Sequence, residues 1–128
     1  SAYQTTIAIS RRMAAEKKDL VQRFVDATLE GWVQYLGGGP GIEAANALIK
    51  KHNPDQTDAR IAYAIKVLKA RGIVMSGDAL KDGIGAMSNA RWINFYQSMA
   101  EVDVLPRGLD VALAYTLEFV NKGIGKPP

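Results

Sequence analysis

Between Leu20 and Leu36, apolar side chains recur every three or four residues: Leu20, Val21, Phe24, Val25, Leu29, Trp32, Val33 and Leu36. That period places them along one stripe of an α-helix, and a stripe of this length has to be covered by something. This requirement constrains the chain more than any other feature, because the remaining segments must supply the cover. The spacing predicts a helix from about Lys18 to Leu36. Asp19 in its first turn complements the helix dipole. Gly37-Gly38-Gly39 stops it, since glycine takes the left-handed C-terminal conformation readily.

Further helices follow from the same reasoning. One is expected from Gly41 or Glu43 to Lys51, with Ile42, Ala45, Leu48 and Ile49 facing inward and Asn53-Pro54 ending it. Another runs from Thr57, a capping residue, to Arg71. Ile61, Ile65 and Leu68 mark its buried face, and Gly72 closes it. Ile73-Val74-Met75 reads as a strand stub or a buried loop, and Ser76 to Ala86 as a polar loop. Ser88 is placed to cap a helix over Asn89–Glu101 with Trp92, Phe95, Tyr96 and Met99 on one face. After the break at Pro106 and Gly108, a last helix is expected over Asp110–Asn121. Arg11 to Glu16 reads as a short helical turn.

One segment has a different character. Tyr3 to Ser10, YQTTIAIS, is rich in β-branched residues and is the one convincing strand. A lone strand needs a partner from elsewhere. Read from its residues alone, the chain is a mostly helical domain with one orphan strand.

Composition excludes several classes of function. There is no cysteine, so disulfides, thiolate nucleophiles and Cys-ligated zinc are ruled out. The net charge is +3, and no basic tract exceeds two residues, as in Arg11-Arg12, Lys17-Lys18 and Lys50-Lys51. Such interspersed charge reads as solvated helix faces and argues against nucleic-acid binding. No apolar run approaches the ~18 residues of a membrane span, and no signal peptide is visible at Ser1.

The chemistry-bearing residues form no recognisable constellation. Gly37-Gly38-Gly39-Pro40-Gly41 follows a helix and lacks the Gly-Lys-Ser/Thr ending of a phosphate loop, so it reads as a linker. His52, the one histidine, sits near Asp55 and Asp58 in what reads as a turn rather than a metal site. Asp78 and Asp82 lack the alternate spacing and closing Glu of a calcium loop. No carboxylate pair and no Ser-His-acid arrangement stands out. The expectation is no catalytic residue, no metal and no cofactor.

A resemblance comes from the succession of segments. Ile7 to Trp32 reads IAISRRMAAEKKDLVQRFVDATLEGW; then come EAANALIKKHNP from Glu43 to Pro54 and DARIAYAIKVLKARGIV from Asp58 to Val74. GIGAMSNARW from Gly83 to Trp92 and AYTLEFVNK from Ala114 to Lys122 complete it. In order and spacing this resembles the periplasmic substrate-binding proteins of the nitrate, sulfonate, taurine and thiamine-precursor group, which serve ABC transporters. No single motif is specific; the succession is.

The resemblance implies the C-terminal part of lobe one of an α/β two-lobed binding protein of the type II periplasmic fold. The chain would be mostly α, with Tyr3–Ser10 as a strand crossing back into the first lobe's sheet. Residues 1–122 would form one segment, and 123–128 a flexible tail. Most of that family's lobe-one sheet and all of its lobe two would lie outside the chain, and with them most of the ligand pocket.

The implied function is solute binding for import, without catalysis. A small molecule is held between lobes and handed to a membrane permease, in the periplasm or another extracytoplasmic space. Nearest the cleft would be Tyr3, Gln4 and Thr5 at the hinge, with Gly83 and Gly85 in the Gly83-Ile84-Gly85 turn. Backbone geometry and packing are the competing explanation for all five. Nitrate, sulfonates, bicarbonate and pyrimidine precursors all remain open as ligands. A stand-alone helical protein-interaction domain is the alternative. Either reading leaves apolar stripes to cover, so a homodimer is expected, with pairing of Tyr3–Ser10 across copies as one route.

Overall fold

The computed structural model describes residues 2–3 and 5–128. It contains six helices among them: α1 Arg11–Glu16, α2 Lys18–Gly37, α3 Ile42–His52, α4 Asp58–Ala70, α5 Asp78–Asp82 and α6 Asn89–Glu101. A single 3-10 turn, Val111–Leu113, follows. No described residue is in a strand.

The expected strand at Tyr3–Ser10, and with it the α/β fold, is therefore corrected: the described fold is all-helical. The physical reason is pairing. β-branched composition favours an extended backbone, but a strand is stabilised by a ladder to a second strand, and no other described segment offers one. Thr5 to Ser10 are exposed instead. Ser10 ends the segment by capping α1, its Oγ accepting from the Met13 N–H at 3.1 Å.

The fold is built on α2. Its 20 residues begin after Lys17 and end before Gly38, whose φ of 74° is the left-handed stop expected of the glycine run. Val21, Val25 and Leu29, spaced four residues apart, are buried against Ile84 and Phe119. Ala14, Val74, Met75, Val120 and Ile124 pack around that cluster. The predicted apolar stripe is thus split. Val21, Val25 and Leu29 find cover, whereas Leu20 and Phe24 remain 51% and 59% exposed.

α3 and α4 are attached loosely. α3 buries no residue, and α4 buries only Ile61. Thr57 caps α4 as its position predicts, accepting from the Arg60 N–H at 3.3 Å. Ile73 to Met75 form a bent loop, with Val74 and Met75 half-buried on the core. The loop read over Ser76–Ala86 contains the short helix α5.

The last predicted helix is also corrected. Within Asp110–Asn121 only Val111–Leu113 is helical, capped by Asp110 Oδ1 accepting from the Ala112 N–H. Beyond it, tertiary contacts outweigh helical periodicity. Phe119 is drawn into the core, and its carbonyl accepts from Gln22 Nε2 at 3.1 Å. Asn121, at φ 63°, both accepts from the Met87 N–H and donates to the Met87 carbonyl. That side-chain pairing takes the place of a backbone ladder. The segment after Asn121 begins packed, since Ile124 O accepts from the Ile84 N–H at 2.7 Å.

Candidate functional site

The densest polar and aromatic cluster joins the start of the chain to the α5–α6 region. Tyr3 is half-buried, and its hydroxyl donates to Asp78 Oδ2 at 2.8 Å. The Ser88 N–H donates to the same Tyr3 oxygen at 2.8 Å, and the Ser88 hydroxyl donates to Asp78 Oδ2 at 3.1 Å. Ser88 occupies the N-cap position of α6, but its hydroxyl is committed to Asp78 and makes no cap bond. The cap expected from sequence has become one corner of a three-residue knot.

Aromatic contacts complete it. The Tyr3 ring lies 5.5 Å from that of Trp92, and the Arg91 guanidinium sits 4.1 Å from the Tyr3 ring centroid. Such a cation over a ring face is attracted by its quadrupole. Arg91 also donates to the Ala2 carbonyl at 3.0 Å. On its other side Trp92 stacks on Tyr115, with centroids 4.9 Å apart and planes 6° from parallel. Tyr115 in turn donates to Asn89 Oδ1 at 2.7 Å. The indole Nε1 of Trp92 is buried with no hydrogen-bond partner among the described residues.

The cluster's electrostatics suit a structural latch. Burial pushes the Tyr3 phenol above its ordinary 10.0, and donation to Asp78 adds to the rise, while the bonds from Ser88 act against it. The phenol therefore stays protonated across the neutral range, as a donor and not as a base.

Of the five candidate residues from sequence, the four that are described do not converge. Tyr3 is in the latch, Thr5 is exposed, and Gln4 lies outside the described residues. Gly83 and Gly85 have packing duties. A Cβ on Gly83 (φ 94°) would come 2.7 Å from backbone atoms of Gly123 and Ile124. On Gly85 (φ 77°) it would come 2.6 Å from Leu29 Cδ2. Both positions thus need glycine for close approach as well as for positive φ.

An open apolar groove of about 520 Å³ runs beside that turn, lined by Val33, Leu36, Leu68, Met75, Ile84 and Gly125, among others. Tyr3 is not part of it. The turn after α3 also has structural work: Lys50 pairs with Asp58 at 2.6 Å, and the Asp55 carbonyl accepts from Arg60. Among the described residues, no group of three or more His, Asp or Glu is placed to hold a metal ion, and no helix is long and apolar enough to cross a membrane.

Sequence reasoning missed Asp78, Asn89 and Tyr115 as parts of the site. Asp78 lies 75 residues from Tyr3 and Asn89 lies 26 from Tyr115, so no local spacing could have signalled them. No family model, curated protein or solved structure matches the chain.

Proposed function

We propose that this chain is a non-catalytic binding module, a helical layer that works by packing its exposed apolar faces onto further polypeptide. The observation that carries this is surface. The chain exposes 9202 Å². A compact monomer of its 13.9 kDa mass would expose roughly 6,700 Å². Leu20, Phe24, Leu48, Tyr63, Val102, Val104 and Leu113 are all at least half exposed. Large apolar side chains in these numbers mark surfaces meant for contact.

Within that class, the succession of segments from Ile7 to Lys122 favours a solute-binding component of an ABC import system. In this reading a small molecule is bound in a cleft completed by other polypeptide and passed to a membrane permease outside the cytoplasm. One observation is compatible with it: the Tyr3 latch ties the start of the chain to Asp78 and Ser88, which would hold Tyr3 and Thr5 in place if other polypeptide completed a cleft there. The competing reading, a stand-alone helical protein-interaction domain, is favoured by the exposed faces alone.

The intact mass of the product expressed from the native gene separates the two. A product of roughly twice this mass or more, as a domain pair requires, supports solute binding, and small-anion binding should then be measured on that product. A product of this length contradicts the import role and leaves the interaction domain.

A further inference from the structure

The outer face of α2 carries its own recognition pattern. Leu20, Phe24, Ala27 and Gly31 follow one another at intervals of four, three and four residues. On a helix this is a narrow seam of the coiled-coil kind, on the side away from Val21, Val25 and Leu29. Leu20 and Phe24 are 51% and 59% exposed, Ala27 and Gly31 are exposed, and a Cβ on Gly31 would meet nothing within 4 Å. Nothing described in the chain covers this seam.

Two features choose the occupant. The first is size: the seam is large in its first half, Leu20 and Phe24, and small in its second, Ala27 and Gly31. A parallel copy would set Phe24 against Phe24 and Gly31 against Gly31, crowding one end and leaving a void at the other. An antiparallel copy sets Leu20 against Gly31 and Phe24 against Ala27, and fills both ends evenly. The second is charge. Arg23 and Glu30 stand seven residues apart on one flank of the seam, so both occupy the position that faces its own kind in an antiparallel pair. In the same register, Arg23 of each copy meets Glu30 of the other. Neither side chain has an ion-pair partner among the described residues; Arg23 Nε makes only a long contact, 3.4 Å, to the Asp19 carbonyl.

We infer that the Leu20–Phe24–Ala27–Gly31 face of α2 binds a second copy of this chain, antiparallel, with reciprocal Arg23–Glu30 ion pairs at its edge. This rests on the docking reading above and names the partner of one docking face.

Sedimentation equilibrium at micromolar concentration, with circular dichroism to verify helix content, tests it. The chain should be dimeric. Glu30→Arg should weaken association roughly tenfold, since two symmetry-related pairs turn repulsive. The double variant Arg23→Glu/Glu30→Arg should restore it, an outcome that a merely structural role for either residue does not produce. A monomeric chain, or a dimer indifferent to Glu30→Arg, overturns the inference. The docking reading of the remaining faces fails by a different result: full amide protection of α3 and α4 in the isolated monomer, which would mean that their apolar faces are covered within the chain.

Discussion

The two ends of the helical layer carry similar apolar spacing and meet different fates. On α2, Val21, Val25 and Leu29 are covered by Ile84 and Phe119, which arrive from distant parts of the chain. On α3 and α4, Leu48 is 56% exposed, Ile49 37% and Tyr63 68%, and Ile61 is the one buried side chain. Helical periodicity therefore states that a face is to be buried without saying by what. For Val21, Val25 and Leu29 the cover is in the chain itself. At α3 and α4 it is not, and helices of 11 and 13 residues are marginal without such packing.

The comparison breaks most easily in the core. Phe119→Ala and Leu29→Ala should each cost about 3–5 kcal/mol in urea unfolding, since each leaves a cavity beside α2. Leu48→Ala on α3 and Tyr63→Ala on α4 should stay within about 0.5 kcal/mol. Comparable losses at all four would mean that α3 and α4 are packed in solution.

Glycines give the next largest contrast. Gly83→Ala forces a Cβ within 2.7 Å of the Gly123 and Ile124 backbone at φ 94°, and should destabilise by roughly 1–3 kcal/mol. Gly41→Ala, at φ −85° with nothing within 4 Å, should be neutral or stabilise by up to about 1 kcal/mol. Thermal melts of the two variants moving in the same direction would contradict this account of the turn.

How far the sequence reaches is clear from particular residues. Local chemistry was legible. The span of α2 and its stop near Gly38, the Thr57 cap and the break at Asn53-Pro54 all follow from neighbours a few residues apart. What was not legible depended on contacts across the chain. Ser88 reads as a cap until Asp78 claims its hydroxyl. Asp110–Asn121 has helical spacing, yet Phe119 and Asn121 gain more from the core and from Met87. Tyr3–Ser10 has strand composition, and among the described residues there is no strand to pair with. In the polar and aromatic cluster, Tyr3 was singled out only as a hinge residue that the resemblance implies; its latch role was not legible, because Asp78, Ser88 and Trp92 lie 75 or more residues away.

Smaller effects are expected at the joints. Tyr3→Phe removes the donor to Asp78 and the acceptor for Ser88 while keeping the ring on Trp92, and should cost on the order of 1 kcal/mol. Its pH dependence has a definite sign. The folded Tyr3 phenol titrates above 10.0, so its contribution is fully present below the unfolded value and is lost as pH rises through the folded one. Wild type and Tyr3→Phe should therefore converge in stability only on the alkaline side, above pH 10. Thr57→Ala should cost about 1 kcal/mol at most, as a lost cap on a helix that is itself loosely held; helix content by circular dichroism is the readout.

Residue-resolved hydrogen exchange on the monomeric chain tests the central claim most directly. The account predicts the slowest exchange at the α2 amides around Val25 and Leu29, and fast exchange throughout α3 and α4, whose faces lack cover. Uniform slow exchange across all three helices would contradict it, because the faces of α3 and α4 would then be covered within the chain itself.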